Sequence, residues 1–327
     1  MAWDLPVHDV SMPESDVQAV LTAYRDGWLT MGPRSQEFER RFAERTGSAV
    51  AVAVSSGTAA LHLSLIAAGV GPGDEVLLPA LSYVAAPATV RAVGATPIFV
   101  DSVGPGDPNL DVDDALARIS PRTRAIMPVH LAGYACDIEA VAGLAGEHGL
   151  VVVEDCAQAI GARSTGGAPV GTVGTLGCFS FSARKQLTTG EGGMVVSDDE
   201  TLAAKVKSLR SHAMTSVTWD RHRGHAESYD ILDIGFNYRL DEPRAALALA
   251  RLDRLTDELD ARRAMVADYR AALADVDGVS VPWTDEDVGR GTHYAFLVLL
   301  ADATTRDRAA RALAGQGIET TRFPDLP

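Results

Sequence analysis

A single lysine sits in the stretch SFSARKQLTTGEGG, residues 180–193, between a hydroxyl-rich strand end and a glycine cluster. Lys185 has no acidic residue within five positions before it, and Glu191 comes six positions after it. A lysine amine in partly desolvated surroundings gives up its proton more readily, and a neutral amine is what Schiff-base chemistry requires. Two further stretches carry groups of comparable promise. In VVVEDCAQA, Asp155 closes an apolar run and Gln158 follows three residues later. In VSSGTAALHL, a strand-like run passes through Ser55-Ser56-Gly57-Thr58 directly into a helical pattern. Free backbone N–H groups and a hydroxyl then collect at one turn, which is how helix starts bind anions.

Each stretch also has a plainer reading. Ser56 and Thr58 suit an ordinary helix cap. Asp155 suits a structural ion pair, and most lysines are solvated surface groups. Together, however, the three match the needs of pyridoxal phosphate: a lysine for its aldehyde, a cradle for its phosphate, and a carboxylate opposite its pyridine nitrogen. That carboxylate keeps the ring protonated, so the ring can withdraw electrons from a substrate carbon.

The elements that would position these groups are read from periodicity. Short apolar, β-branched runs predict strands at 49–55, 75–79, 96–101, 124–130, 150–155, 178–182 and 193–198. Helical patterns such as TAALHLSLIAAG and DIEAVAGLAGEHG lie between the first five, the latter ended by Gly149. This alternation predicts a mostly parallel sheet covered by helices on both faces. In such sheets ligands gather at the carboxyl ends of the strands, where Ser55–Thr58 and Asp155 fall. Residues 243 to about 276 carry a long 3.6-period pattern with Pro243 at its start, predicting a helix that leads out of the sheet. A strand–helix–strand remainder is predicted from HYAFLVLL, RDRAARALAGQG and IETTRF.

Composition narrows the class. The chain has 327 residues, enough for one large domain and a smaller one, and its formal charge of −15 argues against a general nucleic-acid binder. No apolar run approaches the ~20 residues of a membrane helix. The N-terminus lacks the basic-then-apolar order of a signal peptide, so the expected location is cytoplasmic. Cys136, Cys156 and Cys178 show no metal-ligand spacing, and buried, reduced thiols are expected with no metal.

The whole pattern resembles the DegT/StrS family of sugar aminotransferases, within the aspartate-aminotransferase-like fold. The pieces that carry it are FERRFAERTGSAVAVAVSSGTAALHLSLIAAGVGPGDEVLLPALSYVAA, GATPIFVD, TRAIMPVHLAGYACDIEAV, VVVEDCAQAIGA, FSFSARKQLTTGEGGMVVSDD, GFNYRLDEPRAALALARLDRL and GIETT, in this order. The resemblance implies an α/β fold with a mostly parallel, seven-stranded sheet in a large domain at 1–242, with a linking helix and a smaller C-terminal α/β domain at 243–327. Measured against the family pattern, that small domain stops short at IETTRFPDLP.

By the same resemblance, Lys185 would bind pyridoxal 5'-phosphate as a Schiff base and then shuttle a proton. Asp155 would pair with the pyridinium, and Gln158 would hydrogen-bond the ring's phenolic oxygen. Gly57, Thr58 and Ser180 would hold the phosphate. Tyr83 would stack on one ring face and Ala157 would pack on the other. Asn237 would reach the cofactor of a neighbouring subunit, which implies a homodimer with shared sites. In the polar stretch 211–230, Arg221, His222 and Arg223 would meet the diphosphate of a nucleotide sugar, the plainer reading being a solvated loop. The implied reaction passes an amino group from an amino acid such as glutamate to a keto sugar. Two other readings are a dehydratase of the same fold, which typically carries histidine where Lys185 stands, and a non-catalytic cofactor-binding regulator.

Overall fold

The structure is a computed structural model that describes residues 3–215 and 228–322. A central sheet is assembled from β1 (Val50–Val54), β2 (Glu75–Pro79), β3 (Thr96–Val100), β6 (Thr123–Ile126), β7 (Val151–Asp155), β8 (Leu176–Ser180) and β9 (Gly193–Ser197). Their spatial order is β1-β9-β8-β7-β6-β2-β3. Only β9 runs against its neighbours, and the remaining pairs are parallel. A two-stranded ribbon, β4 (Ser102–Gly104) with β5 (Asp107–Leu110), follows β3 and leads into α5 (Val112–Arg118).

Alternating side chains along each strand feed two cores, as a doubly covered sheet requires. From β1, Val52 and Val54 pack beneath α3 (Gly57–Ala67) and α7 (Glu200–Leu209). Ala51 and Ala53 face the other way, against Phe38 and Phe42 of α2 (Pro33–Thr46) and the apolar face of α8 (Glu242–Leu252). From β2, Val76 and Leu78 join the first core, while Leu77 meets Ile138 and Val141 of α6 (Ile138–His148), which Gly149 ends in a left-handed cap as expected.

Three sequence expectations need correction. The pattern at 243–276 is two helices, α8 and α9 (Leu255–Leu273), broken at Asp253–Arg254. Arg254 grips Asp16 of α1 (Glu14–Arg25) with two hydrogen bonds of 2.6 Å, and Arg251 reaches the same carboxylate at 3.0 Å. That bidentate tie fixes the chain where the helix would otherwise continue. HYAFLVLL is not a strand throughout: only Leu299–Leu300 pair, with Val279–Ser280, and residues 292–295 instead bond to the turn at 132–133. Residues 318–322 form no strand, Ile318 making one isolated parallel bridge to Leu5. Among the described residues no helix is long and apolar enough to cross a membrane. All three cysteines are buried free thiols.

Candidate active site

Strand β7 delivers Asp155 to the carboxyl edge of the sheet, where its backbone is held by Pro128 and His130. One carboxylate oxygen accepts the Ala157 N–H at 3.0 Å. Burial pushes the Asp155 carboxyl above its usual range, while the Ala157 N–H and the charges of Lys185 and His130 pull it back. Lys185 follows β8 on a tight loop. Thr188 and Thr189 both bond to Phe181 O, and Phe181 N–H bonds to Gly192 O, so the segment folds back on itself before β9. Burial holds the Lys185 amine below its ordinary value, with Asp155 opposing the shift. A half-buried amine and a buried carboxylate that perturb each other form the electrostatic centre of the site.

Backbone N–H groups collect beside this pair. Ser56 caps α3, its hydroxyl taking the Ala59 N–H at 3.0 Å. Gly57 follows, and a Cβ there would lie 2.7 Å from the Ser180 Cβ. On the other side, a Cβ at Gly193 would lie 2.4 Å from Ser56 O. Glycine is required at both positions because the helix start and the first residue of β9 approach backbone to side chain and backbone to backbone. Thr58 is exposed on this turn, and Ser180 is part-buried across it. The helix start at Gly57 and Ser180 thus meet at one end of the sheet, with Thr58 next in the chain, an arrangement of donors suited to an anion.

Gln158 is buried, and its Oε1 accepts the Ala132 N–H at 2.7 Å. Since that fixes the amide orientation, its NH2 is the end left to donate. Tyr83 stands 67% exposed just before α4 (Ala85–Ala92). Asn237 is exposed, its backbone bridged to Ser211. It lies beyond a run of exposed apolar side chains, Ile231, Leu232 and Ile234. Arg221, His222 and Arg223 lie outside the described residues.

Sequence reasoning missed two groups of residues here. The first is His130 with Glu154, both fully buried and 2.8 Å apart. Burial would push Glu154 up, but the His130 hydrogen bond and charge, with N–H groups of Gly174 and Gly171, bring it below its usual range. For His130 burial opposes the charge, yet Cys136 and Cys156 outweigh it, and its value is well above ordinary. Cys156 completes a buried trio with them, but both Glu154 oxygens already accept protein donors, from Gly171, Val173 and Gly174 as well as His130. Adjacent strand residues face opposite sides, so the ED pair in VVVED signals one carboxylate for the site and one for the interior. The second group is residues 292–295, which no local motif marks. Tyr294 lies against Lys185, its ring centroid 4.4 Å from Nζ.

A doubly wound sheet with a half-buried lysine and a buried carboxylate beside a helix start at its carboxyl edge defines the class of a lysine-dependent cofactor enzyme of the aminotransferase fold. The model of the DegT/DnrJ/EryC1/StrS aminotransferase family matches residues 10–325, and the chain belongs to that family. It is 40% identical over 323 residues to the GDP-perosamine synthase of Caulobacter vibrioides, covering 97% of this chain and 84% of that protein. Among solved structures it is similar to the aminotransferase TlmJ from Streptoalloteichus hindustanus, with 34% identity, a TM-score of 0.89, and 98% of this chain and 84% of that one covered. It is likewise similar to S. venezuelae DesV in complex with a ketimine intermediate, with 36% identity, a TM-score of 0.86, and coverage of 95% and 79%. The family and these structural neighbours are pyridoxal-phosphate-dependent aminotransferases, and this chain is an aminotransferase of the same kind.

Proposed function

We propose that this protein transfers the amino group of an amino acid, glutamate being the expected donor, to a nucleotide-linked keto sugar in amino-sugar biosynthesis. The observation that carries this reading is the convergence of Lys185 and Asp155 beside the donor-lined turn at Gly57 and the spare amide of Gln158. Pyridoxal phosphate fits that donor set. Its phosphate matches the free N–H groups of a helix start, kept clear of side chains by Gly57 and Gly193. Its ring nitrogen matches a buried carboxylate that otherwise has one backbone partner. Once bound, the cofactor supplies the electron sink through which amino group and proton pass between two carbon skeletons.

The chain's own residues then have distinct tasks. Lys185 Nζ holds the cofactor and, when free, moves a proton, a task suited to an amine whose affinity for protons burial has lowered. Asp155 keeps a proton on the ring nitrogen, its own carboxylate form favoured by the charges of Lys185 and His130. Gln158 orients the ring, its donor end directed by the Ala132 bond. Tyr83 and Ala157 cover the two ring faces. Gly57, Thr58 and Ser180 hold the phosphate.

We read residues 1–242 as the large domain and 243–327 as the linking and small-domain portion. We also read the active unit as a homodimer, with Asn237 reaching the neighbouring subunit's phosphate. Exposed Ile231, Leu232 and Ile234, just before that residue in the chain, support this, because apolar surface marks association. The name of the GDP-perosamine relative, which carries a nucleotide diphosphate, supports a nucleotide-linked acceptor. Arg221, His222 and Arg223 remain its proposed contacts.

The test is Lys185→Ala. The variant should fold, lose the visible absorbance of the lysine-bound cofactor, and fail to convert glutamate to 2-oxoglutarate with keto sugars supplied. Near-normal transamination by that variant would overturn the reading.

A further inference from the structure

The chain contains only three lysines, Lys185, Lys205 and Lys207. The latter two are exposed on α7, where Lys205 Nζ donates to the carbonyls of Ile66 and Ala67 at 3.2 and 3.3 Å. Lys185 differs. Among the described residues its Nζ makes no hydrogen bond and no ion pair, and its one close partner is the Tyr294 ring face at 4.4 Å. Lys185 is half-buried, and an aromatic face is the one apolar surface that attracts an ammonium partly withdrawn from water.

Tyr294 is held there by an elaborate anchor. Ala132 and Gly133 are consecutive left-handed residues, φ 54° and 94°. Their carbonyls take N–H groups from Thr292, Tyr294 and Ala295. A Cβ on Gly133 would lie 2.7 Å from His293 N, so the two segments meet backbone to backbone. Beside Tyr294, His293 Nε2 faces the Val288 carbonyl at 3.1 Å and must carry the proton, leaving Nδ1 to accept the Tyr134 hydroxyl at 3.1 Å. Tyr134 in turn stacks on Trp283, centroids 3.8 Å apart. The same Ala132 whose carbonyl positions Tyr294 gives its N–H to Gln158.

We propose that Tyr294 is the positioning partner of Lys185 whenever the lysine is not joined to the cofactor, its ring face holding the free ammonium in place until the cofactor returns to it. This rests on the role of Lys185 proposed above. A free lysine must remain near the reacting carbon without pairing with Asp155, which is needed at the ring nitrogen. A ring face holds the charge without competing for that carboxylate. The other titratable or charged groups that act here are Asp155 on Lys185, and Arg184 and Tyr83 on Tyr294.

The test measures the ammonium directly. Full-length protein loaded with pyridoxamine phosphate is labelled with trace acetic anhydride across pH 6–11, and each lysine is quantified by peptide mass spectrometry, with Lys205 and Lys207 as internal references. Tyr294→Leu should lower the half-labelling pH of Lys185 by about one unit, and Tyr294→Phe should leave it within a few tenths. Tyr294→pentafluorophenylalanine keeps the ring's shape but removes the negative charge of its face, so it should follow leucine even if the leucine variant folds poorly. A pentafluoro variant that titrates like phenylalanine, or a phenylalanine variant that shifts like leucine, would overturn the proposal. Loss of the cofactor absorbance in Lys185→Ala is read separately, so failure of the lysine's role and failure of its ring partner give different results.

Discussion

Gly57 offers the most direct test of the phosphate cradle. Replacing it with alanine adds one methyl group 2.7 Å from the Ser180 Cβ, 3.1 Å from its Oγ and 3.3 Å from its Cα. Carbon atoms settle at roughly 3.5–4.0 Å, so the start of α3 and the end of β8 must part by about 1 Å. Such overpacking costs about 1–3 kcal/mol of stability. The larger effect falls on binding. The proposed phosphate needs N–H groups from the helix start and the Ser180 hydroxyl at the same time, and parting the walls removes at least one bond to a charged group. That loss is about 1.5–3 kcal/mol, roughly ten- to a hundredfold in cofactor affinity. Titration of the cofactor-free protein with pyridoxal phosphate, followed by absorbance, measures it. Gly71→Ala is the control, since a Cβ there meets nothing within 4 Å. Affinities of Gly57→Ala and Gly71→Ala within twofold of each other would refute the placement of the phosphate.

Three further outcomes are expected. Asp155→Asn should still bind cofactor but lose most of its rate with glutamate in single-turnover absorbance measurements, since the amide cannot stabilise a protonated ring; an unchanged rate would put this carboxylate opposite something else. Glu154→Gln should cost about 3–5 kcal/mol near neutral pH, read from the denaturant midpoint, by stranding the His130 charge. The lowered Glu154 contributes stability that is present above 4.5 and lost as pH falls through its folded value, whereas the raised His130 contributes stability that is present below 6.5 and lost as pH rises through its own folded value. The gap between parent and variant should therefore close in acid, and a gap constant with pH would exclude an ionised pair. Asn237→Ala should weaken cofactor affinity roughly ten- to a hundredfold. Mixing it with Lys185→Ala should restore activity to one of the two sites of each heterodimer, and proven subunit exchange without rescue would exclude shared sites.

The central sheet was readable because its inner strands are buried on both faces, so their cores, such as VVV at 151–153 and VLLP at 76–79, are continuously apolar. Asp155, Lys185 and the Ser56–Thr58 turn were readable because each ends such a run. The break at Asp253–Arg254 was not, since its cause, Asp16, lies 238 residues away while the local 3.6 period continues through it. Tyr294 was hidden for the same kind of reason. HYAFLVLL has the apolar content of a strand, but its first residues are claimed by the left-handed turn at Ala132–Gly133, whose conformation alanine does not advertise. His130 and Glu154 are remote in sequence, and the aligned ends of β6 and β7 bring them together.

The order of the sheet also sets a timetable for the growing chain. Strand β1 is the first of the sheet to be made, yet among the described residues it pairs only with β9, roughly 140 residues further along. A ribosome adding about 5–20 residues per second needs roughly 7–28 s to cover that distance. For that interval VAVAV is a bare apolar edge, the kind of segment that pairs with other chains. Until β9 emerges, the partners within reach are α2 and α3, which flank β1 in sequence and pack on its two faces. High-level expression is therefore expected to put nascent chains at risk at this strand, and slower synthesis at lower temperature should raise the soluble yield.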